Sequence, residues 1–223
     1  MKILTWNVER LKKFKNQNLI NIINSYDADI IVLTETSSEI DLNNNYNCVS
    51  TTELPLNHDG IVYKANENRT TIWTKYEVIN QTETFDNYTS ICAQVKTEFG
   101  NLNIYATIIG VFGGKGERFK NDLKLHLDDF QKLNSNEMNC IIGDLNTTFS
   151  GFTYPSNDAR NTLNETFESL KMKNLTAEIP NNVDHIILSE AFLGNKIIET
   201  QIWNLDKKLS DHIGICIAIK NKS

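Results

Sequence analysis

The segment CIIGDLN, residues 140–146, joins an apolar run to an acid and an amide, and it decides how the fold is interpreted. An apolar run followed by Gly143 is typical of a buried strand that reaches its end. Asp144 and Asn146 are two positions apart, so in an extended chain their side chains point to the same side. Burying an acid is costly unless something nearby needs its charge. The segment therefore predicts a buried strand that delivers two polar side chains to a site.

Hydrophobic periodicity in the rest of the chain predicts interleaved helices and strands. Three helices are predicted around residues 19–26, 119–133 and 163–170. Besides 140–146, strands are predicted at 2–8, 28–35, 70–78, 90–97, 101–111, 183–190 and 210–220, with one more at 46–50 or 60–65. Too many strands follow one another for a purely parallel sheet. The expected fold is therefore α+β, a sandwich of two mixed sheets with helices outside.

Length and cysteine content favour a single domain without covalent cross-links. A chain of 223 residues can bury a large core, so residues 1–223 are expected to form one domain. Cys48, Cys92, Cys140 and Cys216 are far apart and form no CxxC pair, which argues against a zinc site. They are interpreted as reduced, buried thiols in a cytoplasmic protein. No signal peptide or membrane span is recognised, so no membrane association is expected.

The charge balance weighs against a general polyanion-binding protein. The formal net charge is −6, whereas a non-specific nucleic-acid-binding protein carries a basic surface. Local basic patches remain at residues 10–15 (RLKKFK) and in the region 115–120. The first is interpreted as a solvated face rather than as a surface that steers a substrate.

Seven polar residues interrupt the predicted strands. They are Asn7, Glu35, Asp144 and Asn146 at strand ends, and Asp184, Asp211 and His212 at strand beginnings. In an all-parallel sheet the two sets would lie at opposite edges. If the last strands run antiparallel to the earlier ones, all seven residues meet at one edge. The chemistry of these residues therefore predicts antiparallel final strands.

Such a convergence would bring together the carboxylates of Glu35, Asp144 and Asp211. Two unit charges about 4 Å apart repel by about 4 kcal/mol at an effective dielectric constant of about 20. The cluster therefore needs a cation, or some of its acids must stay protonated. Oxygen and amide ligands with one histidine and no thiolate favour Mg²⁺ or Mn²⁺ over zinc. A divalent ion in an open acidic cleft is a means of hydrolysing phosphate esters.

Five short motifs occur in order along the chain. They are TWNV at 5–8, LTET at 33–36, GDLN at 143–146, VDHI at 183–186 and SDH at 210–212. In this order the chain resembles the endonuclease/exonuclease/phosphatase superfamily, which has the deoxyribonuclease I-like fold. The resemblance implies a four-layer α/β/β/α sandwich and phosphoester cleavage that depends on Mg²⁺ or Mn²⁺.

The resemblance also implies which residues contact the metal. Glu35 matches the family's metal-ligand glutamate, and Asn7 matches the amide beside it. Asp211 matches the acid next to the last histidine, which implies a further contact with the metal.

Four residues match the family's catalytic positions. Asp144 and Asn146 match the pair that positions the attacking water and the phosphate. His212 matches the histidine that contacts the scissile phosphate, and Asp184 matches the carboxylate that orients this histidine.

One position departs from the family pattern. In YATIIG, residues 105–110, Ile108 stands where relatives often have a histidine or tyrosine. Isoleucine neither donates a proton nor stabilises developing charge, and losing one such donor typically slows a reaction about 10²–10³-fold. Tyr105, Lys115 and Arg118 are the candidates to compensate, and they are predicted to bind substrate.

The remaining histidines are given no catalytic role. His58 and His126 are expected at the surface. His185 alternates with Asp184 along its strand and is expected to face away from it.

The sequence thus predicts a monomeric, metal-dependent phosphodiesterase whose first-choice substrate is DNA. Two alternatives stay open: a phosphatase or phosphodiesterase of a small phosphoester, and a binding module that kept the fold and lost the chemistry. Ile108 is the feature that favours the binding module.

Overall fold

The computed structural model describes residues 1–11, 16–42, 45–113 and 115–222, in which the strands form two six-stranded mixed sheets and one hairpin. The first sheet consists, in spatial order, of β13 (Ile197–Trp203), β14 (Gly214–Lys220), β1 (Lys2–Asn7), β2 (Ile30–Ser37), β6 (Glu67–Thr74) and β3 (Asn47–Ser50). The second consists of β11 (Met172–Asn174), β12 (Asp184–Ser189), β10 (Met138–Asp144), β9 (Gly100–Ile108), β8 (Ile91–Thr97) and β7 (Glu77–Thr82). The hairpin pairs β4 (Asn57–His58) with β5 (Ile61–Val62).

The outer faces of the two sheets are covered by α1 (Asn16–Tyr26), α2 (Glu117–Phe130) and α3 (Asn157–Ser169). The short α4 (Glu190–Leu193) follows β12, and its Phe192 packs into the apolar layer between the sheets. Ile30 and Ile142 belong to the apolar layer between the sheets. Leu19 packs α1 on the first sheet, whereas Phe119 and Leu163 pack α2 and α3 on the second. The predicted four-layer α/β/β/α sandwich is therefore confirmed. None of the helices in the described ranges is long and apolar enough to cross a membrane.

Strand direction brings the polar strand ends together. β1 is parallel to β2, and β9 is parallel to β10, whereas β14 runs antiparallel to β1 and β12 antiparallel to β10. Asp144 at the end of β10 pairs directly with Asp184 at the beginning of β12. The antiparallel final strands predicted from the polar residues are therefore present. The ends of β1, β2 and β10 lie at the same edge as the beginnings of β12 and β14.

The predicted strand at 70–78 is in fact two strands in different sheets. β6 ends at Thr74 in the first sheet, and β7 begins at Glu77 in the second. The Thr74 hydroxyl accepts a hydrogen bond from the backbone N–H of Tyr76, which closes the turn. The apolar pattern runs through this turn because residues on both sides of it are β-formers, so periodicity alone does not detect the change of sheet.

Three strands were not predicted from the sequence. β13 is an edge strand with mostly exposed side chains, β11 has only three residues and β4 has only two. None of them shows the clean apolar alternation of a half-buried strand, and they were missed for this reason.

The cysteines are free, but they are not all buried. Cys140 and Cys216 are buried, as predicted, and Cys92 is partly buried. Cys48 is exposed, which corrects the prediction. It lies on β3, at the edge of the first sheet, where its side chain is left uncovered.

Gly143 allows β10 to approach β9 directly before the polar site. Its φ is +130°, and a Cβ atom at this position would overlap the backbone carbonyl oxygen of Thr107. Glycine is the only residue that meets both conditions without strain. The glycine in CIIGDLN is therefore required by packing, and it fixes where the next residue, Asp144, is placed.

Gly143→Ala should lower the free energy of unfolding by more than about 2 kcal/mol, because the methyl group adds backbone overlap to an unfavourable φ. Urea unfolding followed by circular dichroism measures the change. Gly60→Ala is the control, since Gly60 has φ +79° but a Cβ there meets no heavy atom of the described residues within 4 Å. It should cost only about 1 kcal/mol. A Gly143→Ala variant as stable as the wild type would contradict this packing.

Candidate active site

Side chains from both sheets meet around Asn7, the buried last residue of β1. Its Nδ2 donates to Oδ2 of Asp144 at 3.0 Å and to Oε1 of Glu35 at 3.3 Å. Glu35 has a left-handed φ of +48°, which is uncommon for a non-glycine residue and is concentrated at functional sites. One amide thus connects two carboxylates that belong to different sheets.

Asn146 is placed by the turn that follows β10. Its backbone N–H donates to Oδ1 of Asp144 at 2.9 Å, and its Nδ2 donates to the carbonyl of Ile109 at 2.9 Å. Asn146 has φ +45°, a conformation that asparagine tolerates better than most residues. Both oxygens of Asp144 therefore accept a hydrogen bond, one from Asn7 and one from Asn146.

His212 and Asp184 form a close pair beside this group. Nδ1 of His212 lies 2.6 Å from Oδ2 of the buried Asp184. The backbone around His212 is fixed by Ser210, whose hydroxyl donates to the carbonyl of Asn7 at 2.6 Å and accepts from the His212 N–H at 3.1 Å. Trp6 Nε1 also donates to the His212 carbonyl at 3.1 Å. The loop before β14 is thus attached to the end of β1.

The electrostatics of this cluster differ from those of isolated side chains. Burial, together with repulsion by Asp184, raises the pKa of Asp144 to about 7, although His212 opposes this shift. Burial alone would lower the pKa of His212, but the carboxylates of Asp184 and Asp144 raise it to about 10. His212 is therefore an imidazolium at neutral pH, and Asp144 is poised between its charged and neutral forms.

The donor set fits a hard divalent cation. Ligand atoms of Asp144, Asp184 and His212 lie within 4.8 Å of one another, but an imidazolium has no free lone pair for a metal. The oxygen donors suit magnesium or manganese better: the carboxylates of Glu35 and Asp144, joined through Asn7. Oδ1 of Asp184 is buried and has no hydrogen-bond partner among the described residues, so this carboxylate oxygen could accept a further hydrogen bond or contact a cation.

Asp211 lies at the rim of the cluster. It is 60% exposed at its side chain, and its Oδ1 is 3.7 Å from Nε2 of His212. Its backbone N–H donates to Oε2 of Glu9 at 3.3 Å. The carboxylate thus faces the free ring nitrogen of His212 at a distance that suits an electrostatic contact rather than a hydrogen bond.

Among the described residues, no hydrogen bond, ion pair or ring contact joins the three predicted substrate-binding residues to the cluster. Tyr105 points to the helix side of β9, where it is buried and its hydroxyl donates to Asp129 at 2.8 Å, so it is corrected to a structural residue. Arg118 stacks 3.4 Å above the Phe112 ring and is mostly exposed. Lys115 is exposed in the loop before α2. In the basic stretch 10–15, residues 12–15 lie outside the described residues.

Ile108 lies next to Asp144. The two residues are paired in the parallel ladder of β9 and β10, and Ile108 is almost fully buried. Paired residues of neighbouring strands point to the same face of a sheet. Ile108 therefore presents an apolar side chain beside Asp144 where a polar group would stabilise its charge.

His126 does not lie where the sequence predicted it, whereas His185 does. His126 is fully buried, not at the surface: Nε2 lies 2.7 Å from the Thr107 hydroxyl and Nδ1 lies 2.8 Å from the Asp122 carbonyl. Its polar atoms are satisfied inside the α2 layer, which the helical pattern alone does not reveal. His185 contacts Thr147 and Thr176, so it faces away from Asp184 as expected.

Sequence reasoning missed two residues that position the cluster. Ser210 links β1 to the His212 loop, and Asn182 accepts from the Asp184 N–H at 3.2 Å while its Nδ2 donates to the Asp184 carbonyl. Both precede an acidic motif residue by one or two positions. Such serine and asparagine residues commonly bond to the backbone two residues on, and this is the signal that could have identified them.

Fold and site together define a class: α/β/β/α sandwiches with an acid–histidine cluster at the shared edge of the two sheets. The chain matches the model of the endonuclease/exonuclease/phosphatase family over residues 4–212, and it belongs to this family. Membership supports phosphoester hydrolysis that depends on a divalent metal. A comparison with curated protein sequences gives no match.

Solved structures of low sequence identity share the fold. An AP endonuclease from Archaeoglobus fulgidus has a TM-score of 0.74 and 15% identity, with 98% of this chain and 99% of that chain covered. The endonuclease domain of TRAS1, a telomere-specific non-LTR retrotransposon, has a TM-score of 0.71 and 16% identity, with 100% and 99% covered. A 3′ phosphatase from Neisseria, bound to product DNA hairpin, has a TM-score of 0.69 and 14% identity, with 99% of both chains covered.

The pair of His212 and Asp184 should make stability depend on pH. The pKa of His212 rises from 6.5 to about 10 on folding, so the pair stabilises the protein fully below pH 6.5 and loses this effect as the pH rises through 10. His212→Gln should therefore be less stable than the wild type by the largest margin below pH 6.5. Urea unfolding between pH 6 and 10 measures this margin, with the partly exposed His58→Gln as control. A margin that does not change with pH would contradict the ion pair.

Proposed function

We propose that residues 1–223 form a single-domain, monomeric phosphodiesterase that uses Mg²⁺ or Mn²⁺ and acts on DNA. The observation that carries the proposal is the continuous group formed by Glu35, Asn7 and Asp144 beside the pair of Asp184 and His212. One cleft then contains a carboxylate suited to a metal (Glu35), a carboxylate that can accept a proton (Asp144) and a fixed positive charge (His212). Family membership supports the same reaction class.

Glu35 and Asn7 are proposed to hold the metal, with Asp211 at the rim. When bound, the ion would polarise a phosphoryl oxygen and offset the negative charge of the cleft. The support is the carboxylate of Glu35, since magnesium and manganese prefer oxygen ligands. Asn7 would contribute its Oδ1, which accepts from the Glu9 N–H at 2.9 Å and has a second lone pair, whereas its Nδ2 faces the carboxylates. A cation would also favour the carboxylate form of Asp144, whose pKa is raised by burial and by repulsion from Asp184.

Asp144 is proposed to orient or deprotonate the attacking water. Burial raises the pKa of Asp144, which makes its carboxylate a better proton acceptor than an exposed aspartate. Asn146, which borders the open groove beside this residue, is proposed to bind the phosphate. Oδ1 of Asn146 cannot donate, so this contact would require Nδ2 to be shared with the Ile109 carbonyl.

His212 is proposed to stabilise the negative charge that develops on the phosphoryl oxygens. Asp184 keeps the ring protonated and holds it by Nδ1, which leaves Nε2–H to face the cleft. A preorganised positive charge in a partly buried site is worth more than the same charge in water. The imidazolium also supplies a proton donor and a positive charge, which Ile108 cannot supply.

The preference for DNA is supported by the groove next to His212. This groove has a volume of about 650 Å³ and is bordered by Asn146, Asp184 and His212. Phe152 and Leu205, which are 83% and 68% exposed, line it. Exposed apolar side chains beside a catalytic cleft suit the planar bases of a nucleic acid. Among the solved structures of this fold, the 3′ phosphatase from Neisseria is bound to product DNA hairpin.

The decisive test is hydrolysis of nicked, abasic and single-stranded DNA, compared with bis-p-nitrophenyl phosphate, in Mn²⁺ and in EDTA. DNA cleavage that requires the metal supports the proposal. Turnover of the small diester alone would favour a small phosphoester as the substrate. No metal-dependent turnover of any of these compounds would favour the binding module that Ile108 suggests.

Glu35→Gln should reduce metal-dependent turnover by about 10²–10³-fold, because it removes a charged ligand while keeping the shape of the side chain. Initial rates in Mn²⁺, together with Mn²⁺ binding followed by electron paramagnetic resonance, measure the two effects. Glu39→Gln changes an exposed glutamate of the following turn and should leave both unchanged. Full activity of Glu35→Gln would remove this residue from the metal site.

Phe152→Ser should raise KM for DNA by about tenfold, which corresponds to the loss of one stacking contact. Turnover of bis-p-nitrophenyl phosphate should change much less, since its rings are bonded directly to the reacting phosphate and it has no flanking nucleotide to lie along the groove. Leu125→Ser, at an exposed apolar position on α2, is the control. If Phe152→Ser cleaves DNA like the wild type, the groove does not bind the substrate through this ring.

A further inference from the structure

The loop that carries His212 is closed by a residue outside the five motifs. This loop, residues 204–213, joins β13 to β14 and is called here the His212 loop. It contributes Asp211 and His212 to the cleft, and near its other end it contributes Leu205 to the groove. Because the proposed reaction uses the ring of His212, any residue that fixes this loop also fixes a reacting group.

The side chain of Asn204 makes three hydrogen bonds to the backbone of the His212 loop. Its Nδ2 donates to the carbonyl of Ser210 at 2.8 Å and to the carbonyl of His212 at 2.6 Å. Its Oδ1 accepts from the backbone N–H of Leu209 at 3.0 Å. The two carbonyls flank Asp211, so one amide holds the backbone on both sides of that residue.

The backbone that carries this amide is itself well anchored. Trp203 pairs with Gly214 in the ladder of β13 and β14, and a Cβ atom on Gly214 would overlap the Trp203 ring. The same ring stacks on Tyr26 with centroids 4.4 Å apart and meets the Trp6 ring edge-on at 5.4 Å. Asn204 follows directly, with a left-handed φ of +57° that asparagine tolerates. The amide therefore extends from a packed end of the first sheet.

His212 depends on such side-chain contacts because it precedes the first residue of β14 and lies outside the ladder. Its carbonyl accepts from Nδ2 of Asn204 and from Nε1 of Trp6, which uses both lone pairs. Its N–H donates to the hydroxyl of Ser210. All of these backbone contacts are made by side chains, so they fix the direction in which the His212 ring leaves the backbone.

The ring contact with Asp184 is sensitive to this placement. Asp184 is buried on β12 of the second sheet, whereas the His212 loop is attached to the first sheet. The 2.6 Å distance between Nδ1 of His212 and Oδ2 of Asp184 therefore depends on how both sheets hold their parts. A shift of about 1 Å in a catalytic group can slow a reaction about 10²-fold.

We propose that Asn204 is a positioning residue for the hydrolysis: its amide holds the His212 loop so that the His212 ring bonds to Asp184 and presents Nε2–H to the scissile phosphate. The inference rests on the proposed function, and it adds a residue that acts through the backbone of His212 rather than on the substrate. The competing explanation is that Asn204 only closes a turn, as asparagine often does. Loss of a residue of that kind lowers stability and leaves the His212 ring unchanged.

The kinetic test removes the amide and keeps the backbone conformation. Asn204→Gly does this, because glycine adopts a φ of +57° without strain. Its kcat should fall by about 10–100-fold for DNA and for bis-p-nitrophenyl phosphate alike, since both substrates use the same reacting group. KM for the small diester should stay close to the wild-type value.

Asn66→Gly is the matched control. Asn66 also has a left-handed φ, of +69°, but its amide donates at 3.4 Å to the exposed Glu39. This variant should keep the wild-type kcat for both substrates. Urea unfolding of both variants shows how much stability each substitution removes.

A spectroscopic measurement reports on the ring without metal, substrate or turnover. In the wild type at pH 6, the proton between His212 and Asp184 should give a far-downfield ¹H resonance, as short charge-assisted hydrogen bonds do. Its absence from His212→Gln assigns it. Asn204→Gly should move this resonance upfield or broaden it by exchange with water, whereas Asn66→Gly should retain it.

A second variant keeps the test decisive if Asn204→Gly does not fold. Asn204→Asp keeps an oxygen that accepts from the Leu209 N–H but replaces the donating Nδ2, and the same changes in kcat and in the resonance are expected.

The two measurements separate the inference from the proposed function. If the wild type hydrolyses none of the substrates but the resonance depends on Asn204, the proposed function fails and the placement of His212 by Asn204 stands. If the wild type is active and the folded Asn204 variant keeps either the wild-type kcat or the wild-type resonance, the inference is wrong.

Discussion

The hydrogen bonds of Asn7 are the constraint on which the rest of the site depends. This residue ends β1 in the first sheet, yet its side chain reaches Asp144, which ends β10 in the second. The same Nδ2 contacts Glu35, and the Asn7 carbonyl accepts from Ser210, which in turn holds the His212 backbone. A small amide at one position therefore joins the two sheets at their polar edge. The apolar layer between the sheets keeps its two partners in place, because close-packed interiors do not deform easily.

In the site around Asn7, the surroundings of Asp144 and of His212 shift the pKa of each residue. Asp144 lies beside Ile108 and has a raised pKa because it is buried, whereas His212 is kept protonated by Asp184. Two titratable groups with pKa values pushed in these directions are a common arrangement for acid–base chemistry. An apolar neighbour of Asp144 is consistent with this arrangement, since it keeps the carboxylate a better proton acceptor. The departure at Ile108 is thus compatible with an active site of altered electrostatics.

The groove beyond His212 is large and lined by exposed apolar side chains such as Phe152. A smaller cavity of about 190 Å³ is lined in part by Glu35. If the proposed action on DNA holds, a protein of net charge −6 would bind its polyanionic substrate through rings and specific hydrogen bonds more than through a basic surface.

The sequence by itself determined the layered fold, the set of polar strand ends and their meeting at one edge, because apolar periodicity and the cost of buried charge are local properties that can be read along the chain. It did not reveal that 70–78 changes sheet, that His126 is buried, or that Tyr105 faces Asp129. Those outcomes depend on which face of a strand or helix another layer covers, and only tertiary packing decides this. The unpaired Oδ1 of Asp184 was invisible for the same reason, because whether a buried atom has a partner among the described residues is known only once its neighbours have been placed.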